Sequence, residues 1–298
     1  MLIADRTPKR HVIIGCLAAA VTVLASAAWQ LSTRRGVTTA FGPWELAFLR
    51  YVIPGVFMGL LLGPGGWKPA SVPWPRLLML VGGGGAPFGL FIAVGARFAP
   101  AAHMSIFLAG TIPLFTAFAA WLAYRETLAA GRVAGLFAIL FGIGVLVSNA
   151  DEQTFALGDI AFLGAAACWA IHTIAFRACG LEPVRAVMLV NFWSAVYLVP
   201  AVCFFGDFGR IARAPLPDLM VQVMAQTLLG GLVGPLMYMI AVKHLGGSRA
   251  SLSAALPPVM AGLGAQWLLG EQLQPSVVAA MIVVVAGVVL ASGVLRKS

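Results

Sequence analysis

The chain has 298 residues, of which 61% are hydrophobic and only 10% are charged, and its formal net charge is +9. Because soluble proteins carry about 25% charged residues, this composition excludes an ordinary soluble domain, a disordered chain and a collagen-like fibre. The four cysteines form no CxxC pair, so they predict no disulfide scaffold, redox centre or metal site, and no cofactor is expected.

Long apolar stretches follow one another along the whole chain. A helix needs roughly 20 apolar residues to cross a hydrocarbon core of about 30 Å, and the sequence predicts ten such helices in an all-α integral membrane fold. The predicted spans are 11–31, 43–62, 76–97, 101–123, 128–148, 157–179, 184–205, 218–243, 248–269 and 275–294. The first span is expected to be retained and not cleaved as a signal peptide.

Basic residues are concentrated in alternate connections between the predicted spans. If the N-terminus is cytoplasmic, the outer loops hold only Arg34, Arg35, Arg97, Arg210 and Arg213. This bias is typical of the positive-inside rule, and it predicts that both termini, residues 1–10 and 295–298, are cytoplasmic. The orientation of the chain in the membrane thus accounts for the positive net charge, and nucleic acid is not an expected partner. Membrane lipid is an expected partner because the predicted spans are apolar.

The two halves of the chain share a sequence pattern. Residues 82–94 read GGGGAPFGLFIAV, and residues 230–242 read GGLVGPLMYMIAV. Further matches in the same order are Trp29/Trp169, Thr33/Thr173, Tyr51/Tyr197, Pro54/Pro200, Pro113/Pro258, Glu126/Glu271 and Gly142/Gly287. The pattern predicts a five-helix repeat over 11–148 and a second over 157–294. Because five is odd, the second repeat would be inverted in the membrane, as in many secondary transporters.

Prolines lie near the middle of predicted spans 3, 4, 8 and 9. They are Pro87, Pro113, Pro235, Pro257 and Pro258. Each proline removes a backbone donor and frees a carbonyl about one turn earlier. In hydrocarbon this is tolerated only where the backbone faces protein or a water-filled cavity, so these prolines are predicted to line a cavity and to act as hinges.

Ionisable residues are scarce inside the predicted spans. Arg50 is expected to reach the outer interface and to pair with an acid such as Asp159, in preference to contacting a substrate. His172 lies deeper, either lining a cavity or packed as a neutral core residue. The cavity is therefore expected to carry little fixed charge and to suit a neutral or zwitterionic solute.

Aromatic and hydroxyl side chains at comparable depth are the candidate substrate-binding residues. They are Trp29, Phe88, Phe91, Phe107, Thr111, Trp169, His172, Thr173 and Tyr238. Aromatic faces attract an ammonium group and pack apolar side chains, while broken-helix ends and hydroxyls can bind a carboxylate. Trp169 is the leading candidate because Trp29 is its repeat partner. No catalytic motif and no metal-ligand motif occurs, so the chain is not expected to be an enzyme.

The predicted spans in two inverted halves, AAW in span 1 answered by ACW in span 6, and the Glu126/Glu271 pair resemble the drug/metabolite transporter superfamily, EamA type. Within it the chain is similar to the YddG-like amino-acid exporters of bacterial inner membranes. This resemblance implies export of aromatic and other neutral amino acids by alternating access. The implied cavity lies between the halves, lined by spans 1, 3, 4, 6, 8 and 9.

Several alternatives remain open from the sequence. An exporter of hydrophobic drugs or quaternary ammonium compounds would also use an aromatic cavity. The sequence pattern favours an integral-membrane enzyme or a channel less than either kind of exporter. Because no carboxylate lies deep in a predicted span, facilitated diffusion is predicted in preference to proton antiport. The expected functional unit is a monomer with a small-molecule substrate.

Overall fold

The computed structural model describes residues 7–125, 129–148, 153–245, 253 and 256–292, and these residues form helices without any strand. The long helices are α1 (Thr7–Thr38), α2 (Pro43–Leu62), α3 (Trp74–Phe98), α4 (Ala101–Tyr124), α5 (Ala130–Ser148), α6 (Gln153–Cys179), α7 (Pro183–Phe205), α8 (Leu216–Leu245), α9 (Pro257–Gly264, continued by Ala265–Leu269) and α10 (Pro275–Ala291). A short helix, Phe208–Arg213, connects α7 to α8.

Eight of the helices in the described part of the chain, α1–α8, are long and apolar enough to cross a membrane. The apolar helix α10 is shorter, and the beginning of the predicted ninth span lies partly outside the described residues, as does Glu126. The all-helical membrane fold is therefore confirmed. The count of ten spans, the inversion of the halves and the repeat boundaries stay predictions.

The first predicted span was too short. Helix α1 continues past residue 31 to Thr38, although Arg34 and Arg35 lie in its last turns. Both arginines pair with acids outside α1, Arg34 with Glu271 and Arg35 with Asp218, so their charge does not end the helix at the apolar boundary. The extension places Trp29 well inside α1, with more than two turns of helix after it.

Prolines and left-handed residues set several helix boundaries. Pro43, Pro183 and Pro275 occupy the first turns of α2, α7 and α10, where a missing N–H is not needed. Helix α4 ends at Arg125 with φ 54°, and α9 ends at Gly270 with φ 68°. The connections are consequently short.

Several helix contacts correspond between the two halves. Helix α1 packs along α8 and α3 along α6, α4 contacts α6 and α1 contacts α9, and the pairs α5–α10, α2–α7 and α4–α9 each join corresponding helices. Exchanging α1–α5 with α6–α10 converts these contacts into one another, whereas the contacts of α4 with α10 and of α1 with α3 have no comparable counterpart in the described part of the chain. The outer surface is apolar, with Phe204, Trp267 and Leu60 among its most exposed side chains, as lipid-facing positions require.

Small residues allow the closest helix contacts. Gly135 on α5 faces the backbone of Gly287 and Ala291 on α10, and Gly83 on α3 faces the backbone of Cys168 on α6. In a membrane such approaches supply van der Waals contact where the hydrophobic effect between helices is weak. The contact of α3 with α6 is important for the site because it holds the two central helices together.

We predict that Gly83→Ala destabilises the protein and that the neighbouring substitution Gly82→Ala does not. A Cβ at Gly83 would lie 2.5 Å from the Cys168 carbonyl oxygen, whereas a Cβ at Gly82 has no other atom within 4 Å. Overpacking costs about 1–3 kcal/mol, so the apparent melting temperature of Gly83→Ala in detergent should fall clearly below that of the wild type. Equal melting temperatures for the two variants would contradict this helix contact.

Candidate functional site

A cavity of about 130 Å³ lies at the centre of the bundle, bounded by helices of both halves. Its walls come from α1, α2, α3, α4, α6, α8 and the start of α9. The polar lining includes Thr22, Ser26, Gln30 and Ser105. The hydroxyl of Ser105 also donates a hydrogen bond to the Gln30 side-chain oxygen, which joins α1 to α4 beside the cavity.

A row of aromatic rings forms one wall of the cavity. The ring centroids of Trp29 and Phe88 are 6.1 Å apart, those of Phe88 and Trp169 are 4.9 Å apart, and those of Trp169 and Tyr238 are 6.1 Å apart. These four rings come from α1, α3, α6 and α8. They give the cavity an apolar wall that can pack a flat or branched side chain.

The guanidinium of Arg50 projects into the cavity and stacks on this wall. Its central carbon lies 4.1 Å from the Trp29 ring centroid, 5.3 Å from that of Tyr51 and 5.6 Å from that of Phe88. Arg50 is only 4% exposed. Its Nε and Nη1 atoms have no hydrogen-bond acceptor among the described residues.

Neighbouring rings compensate only part of the cost of burying this charge. A cation–π contact contributes about 0.5–2 kcal/mol, whereas removing an ion from water costs several kcal/mol. Within the described chain, no Asp or Glu lines the cavity or the smaller adjoining space that also contacts Arg50. The cavity therefore carries one positive charge without a protein counter-ion in the described part of the chain.

Irregular helix geometry directs Arg50 inward. Residues Phe48–Val52 of α2 and Val223–Val233 of α8 are π-helical, and the two segments contact each other. Such segments often occur at functional sites. Gly230 lies in the second segment, and a Cβ there would collide with Arg50 Nη1 and with the Trp29 ring. The absence of a side chain at Gly230 thus makes room for the stacked pair.

Hydrogen bonds between α1 and α8 fix the orientation of Trp29. Its indole N–H donates to Gln226 Oε1 at 2.8 Å, and Gln226 Nε2 donates to the Thr33 hydroxyl at 2.9 Å. Gln222 Nε2 donates to the Ser32 carbonyl at 2.7 Å. Because each of these groups is buried or part-buried, the ring under Arg50 is held in one position.

Helix α3 breaks beside the cavity, and side chains satisfy the released backbone groups. The first segment ends at Gly84 and the second begins at Ala86. His172 Nδ1 lies 2.9 Å from the Leu80 carbonyl oxygen, so this nitrogen carries the donated proton. Tyr51 donates to the Gly84 carbonyl, and the Ala86 N–H donates to the Tyr197 hydroxyl. The break is stabilised by protein groups, as a membrane interior demands.

An ion pair between Arg34 and Glu271 joins several helix ends on one side of the bundle. Arg34 Nε donates to Glu271 Oε1 at 2.7 Å, and the two side chains are 18% and 17% exposed. Arg34 Nη1 also donates to the Ala96 carbonyl, while Glu271 Oε2 accepts from the Ala101 N–H. One pair therefore connects the end of α1, the junction of α3 with α4, and the segment between α9 and α10.

The structure places several predicted site residues on the cavity wall. Trp29, Phe88, Trp169 and Tyr238 line the central cavity, and His172 lines the smaller space next to Arg50. Among the predicted hinge residues, Pro235 and Pro257 line the cavity, Pro87 directly follows the break in α3, Pro113 lies within continuous α4, and Pro258 is buried beside Pro257. Their roles in binding and movement stay predictions.

Four predicted site residues lie elsewhere. Phe91 is 41% exposed and packs over Gly164 on the outside of α6. Phe107 packs against Phe162 in the core, and Thr111 donates to the Phe107 carbonyl. Thr173 donates to the Trp169 carbonyl one turn earlier. The side chains of these four residues do not line the cavity, because they lie on other faces of their helices.

The prediction for Arg50 was wrong. The Asp159 carboxylate lies 3.2 Å from His103 Nδ1 and is not paired with Arg50. The expectation of a cavity with little fixed charge is corrected with it. Gln30, Ser105 and Gly230 were not among the predicted site residues. For Arg50 the sequence did carry a signal, because an arginine inside a predicted membrane span is a functional candidate by default.

Comparisons with known proteins agree with this architecture. Two stretches of the chain, residues 13–148 and 156–293, match the EamA-like transporter family. A solved crystal structure of a protein aligns with a TM-score of 0.67 over 95% of this chain and 99% of its own, at 22% sequence identity, and so shares the fold. No curated protein shows significant sequence similarity to the chain.

We predict that Glu271→Gln lowers the thermal stability of the protein more than Glu182→Gln does. Glu271 neutralises a part-buried arginine, whereas the Lys243–Glu182 pair has side chains 52% and 72% exposed. Exposed pairs contribute about 0–1 kcal/mol. Thermal unfolding in detergent should show a clear loss for Glu271→Gln and almost none for Glu182→Gln. A similar effect of both substitutions would contradict the structural role of the Arg34–Glu271 pair.

Proposed function

The chain belongs to the EamA-like transporter family, and we propose that it is a secondary transporter exporting aromatic and other neutral amino acids. The observation that carries the proposal is the central cavity, where the rings of Phe88, Trp169 and Tyr238 lie beside the polar groups of α1 and α4. An amino acid presents both surfaces that such a cavity accommodates, an apolar side chain and polar backbone groups.

Alternating access is supported by the arrangement of the helices. Among the described helices, the pair α1–α8 corresponds to α6–α3 and the pair α4–α6 to α9–α1 when the two halves are exchanged, as expected for two related repeats that rock against each other. The break in α3 and the π-helical segments of α2 and α8 adjoin the cavity. These irregular segments, together with the cavity prolines, are the proposed hinges.

The proposed location is the bacterial inner membrane, with both termini in the cytoplasm and a single chain as the functional unit. The excess of Lys and Arg in one set of connections supports this orientation. Lipid would surround the apolar outer surface, and the solute would be the only small-molecule partner. No cofactor is assigned to this mechanism.

A second candidate function is export of hydrophobic drugs or quaternary ammonium compounds. The aromatic wall favours this alternative, because rings attract organic cations. The charge of Arg50 at the same wall opposes it, since two cations would be brought together in a poorly solvated space. Dye efflux in the absence of amino-acid flux would favour this second function.

We predict that Trp169→Ala strongly reduces transport of radiolabelled phenylalanine into proteoliposomes and that Trp267→Ala does not. Trp169 contacts Phe88 and Tyr238 in the cavity wall, whereas Trp267 is 83% exposed on the outside of α9. Truncating a packed aromatic anchor typically costs at least about 2 kcal/mol, roughly thirtyfold in binding. Both proteins should elute as single species from a sizing column.

Wild-type flux from Trp169→Ala would remove this residue from the site. Absence of saturable flux above that of empty vesicles for every amino acid would refute the proposed function itself. A conductance that does not saturate with solute concentration would instead indicate a channel.

We also predict that amino-acid flux persists when the pH gradient across the vesicle membrane is collapsed. In the described part of the cavity wall, no carboxylate is available to carry a proton during the transport cycle. The measurement is the initial rate of phenylalanine uptake with and without a protonophore at constant internal pH. Loss of uptake with the protonophore would contradict facilitated diffusion and indicate proton coupling.

A further inference from the structure

We infer that Arg50 is the binding site for the carboxylate group of the transported solute, so that the cavity selects carboxylates and zwitterions over amines. The inference rests on the proposed function for the identity of the solute. The assignment of the site rests on the geometry around Arg50, and binding measurements can test this assignment without any transport assay.

The charge of Arg50 faces the cavity, and no anion of the described residues faces it. Arg50 is 4% exposed, its Nε and Nη1 atoms have no acceptor among the described residues, and no Asp or Glu in the described chain lines the space around it. The adjoining space of about 10 Å³ holds at most about one water molecule. Water can accept a hydrogen bond there but cannot neutralise the charge.

The surrounding groups also suit a carboxylate ligand. Trp29 lies against the guanidinium, and its indole N–H is held by Gln226, so the ring on which Arg50 rests is fixed in position. A planar guanidinium with fixed donors matches the geometry of a carboxylate. Phe88 and Trp169 continue the wall beyond Trp29, where the apolar part of the same solute would pack.

The test compares three ligands that share a phenyl ring. L-phenylalanine carries both charged groups, 3-phenylpropionate carries only the carboxylate, and phenethylamine carries only the ammonium group. Calorimetric titration of the detergent-purified full chain should show that 3-phenylpropionate binds at least about tenfold more tightly than phenethylamine, the range expected for charge-assisted hydrogen bonds. Equal affinities, or no saturable binding of 3-phenylpropionate, would overturn the inference.

Variants locate this preference at Arg50. Arg50→Gln should abolish the difference between 3-phenylpropionate and phenethylamine, and Arg50→Lys should retain part of it because the charge remains. Arg97→Gln is the matched control, because it removes an exposed arginine and should leave the preference unchanged. Retention of the full preference in Arg50→Gln would overturn the assignment.

A second variant keeps the test valid if Arg50→Gln fails to fold. Gly230→Ala places a methyl group against Nη1 of Arg50 and against Trp29, so it displaces the guanidinium without removing its charge. Binding of 3-phenylpropionate should weaken in this variant more than binding of phenethylamine. Equal weakening of both ligands would count against Arg50 as the carboxylate site.

Binding and flux separate the two proposals. If wild-type protein prefers carboxylates but shows no amino-acid flux, the Arg50 site stands and the proposed amino-acid export fails. If flux occurs without a carboxylate preference, export stands and the role of Arg50 is refuted.

Discussion

The membrane interior contains no water to satisfy a polar group, and this constraint shapes the centre of the protein. Helix α3 breaks at Gly85, and the side chains of His172, Tyr51 and Tyr197 make hydrogen bonds to backbone groups on the two sides of the break. The glycines on α3 let α6 approach closely enough for His172 to reach its carbonyl partner. The interruption of the helix is thus stabilised by neighbouring side chains together with backbone hydrogen bonds of Gly85.

The same constraint makes Arg50 the exception that defines the cavity. Several other arginines in the described helices are paired with acids, as are Arg34 with Glu271 and Arg35 with Asp218. The guanidinium of Arg50 rests on the faces of three aromatic rings, and these compensate for part of its desolvation. A cation kept in this way is costly to the empty protein, and an anionic group on the solute would repay that cost when it binds.

Pairing of the helices relates the two halves, but the detailed contacts differ between them. Trp29 and Trp169 hold matching positions in the sequence repeat, and both line the cavity. Trp29 supports Arg50 and hydrogen-bonds to Gln226, whereas Trp169 packs between Phe88 and Tyr238. In the proposed transport mechanism, two halves with a shared sequence pattern would therefore contribute different side-chain contacts to one asymmetric cavity.

The amino-acid sequence was sufficient to predict the all-helical membrane fold, most helix boundaries and the aromatic character of the cavity. A bilayer requires apolar stretches of a fixed length, and proline limits where a helix can begin, so both signals can be read along the chain. It also selected Trp169 and Phe88 from their depth. Only the tertiary structure decided the direction of each side chain. Phe91 faces outward, and Arg50 faces inward through a π-helical segment that no apolar pattern reveals. Depth is encoded along one helix, whereas facing and charge pairing depend on which helices become neighbours.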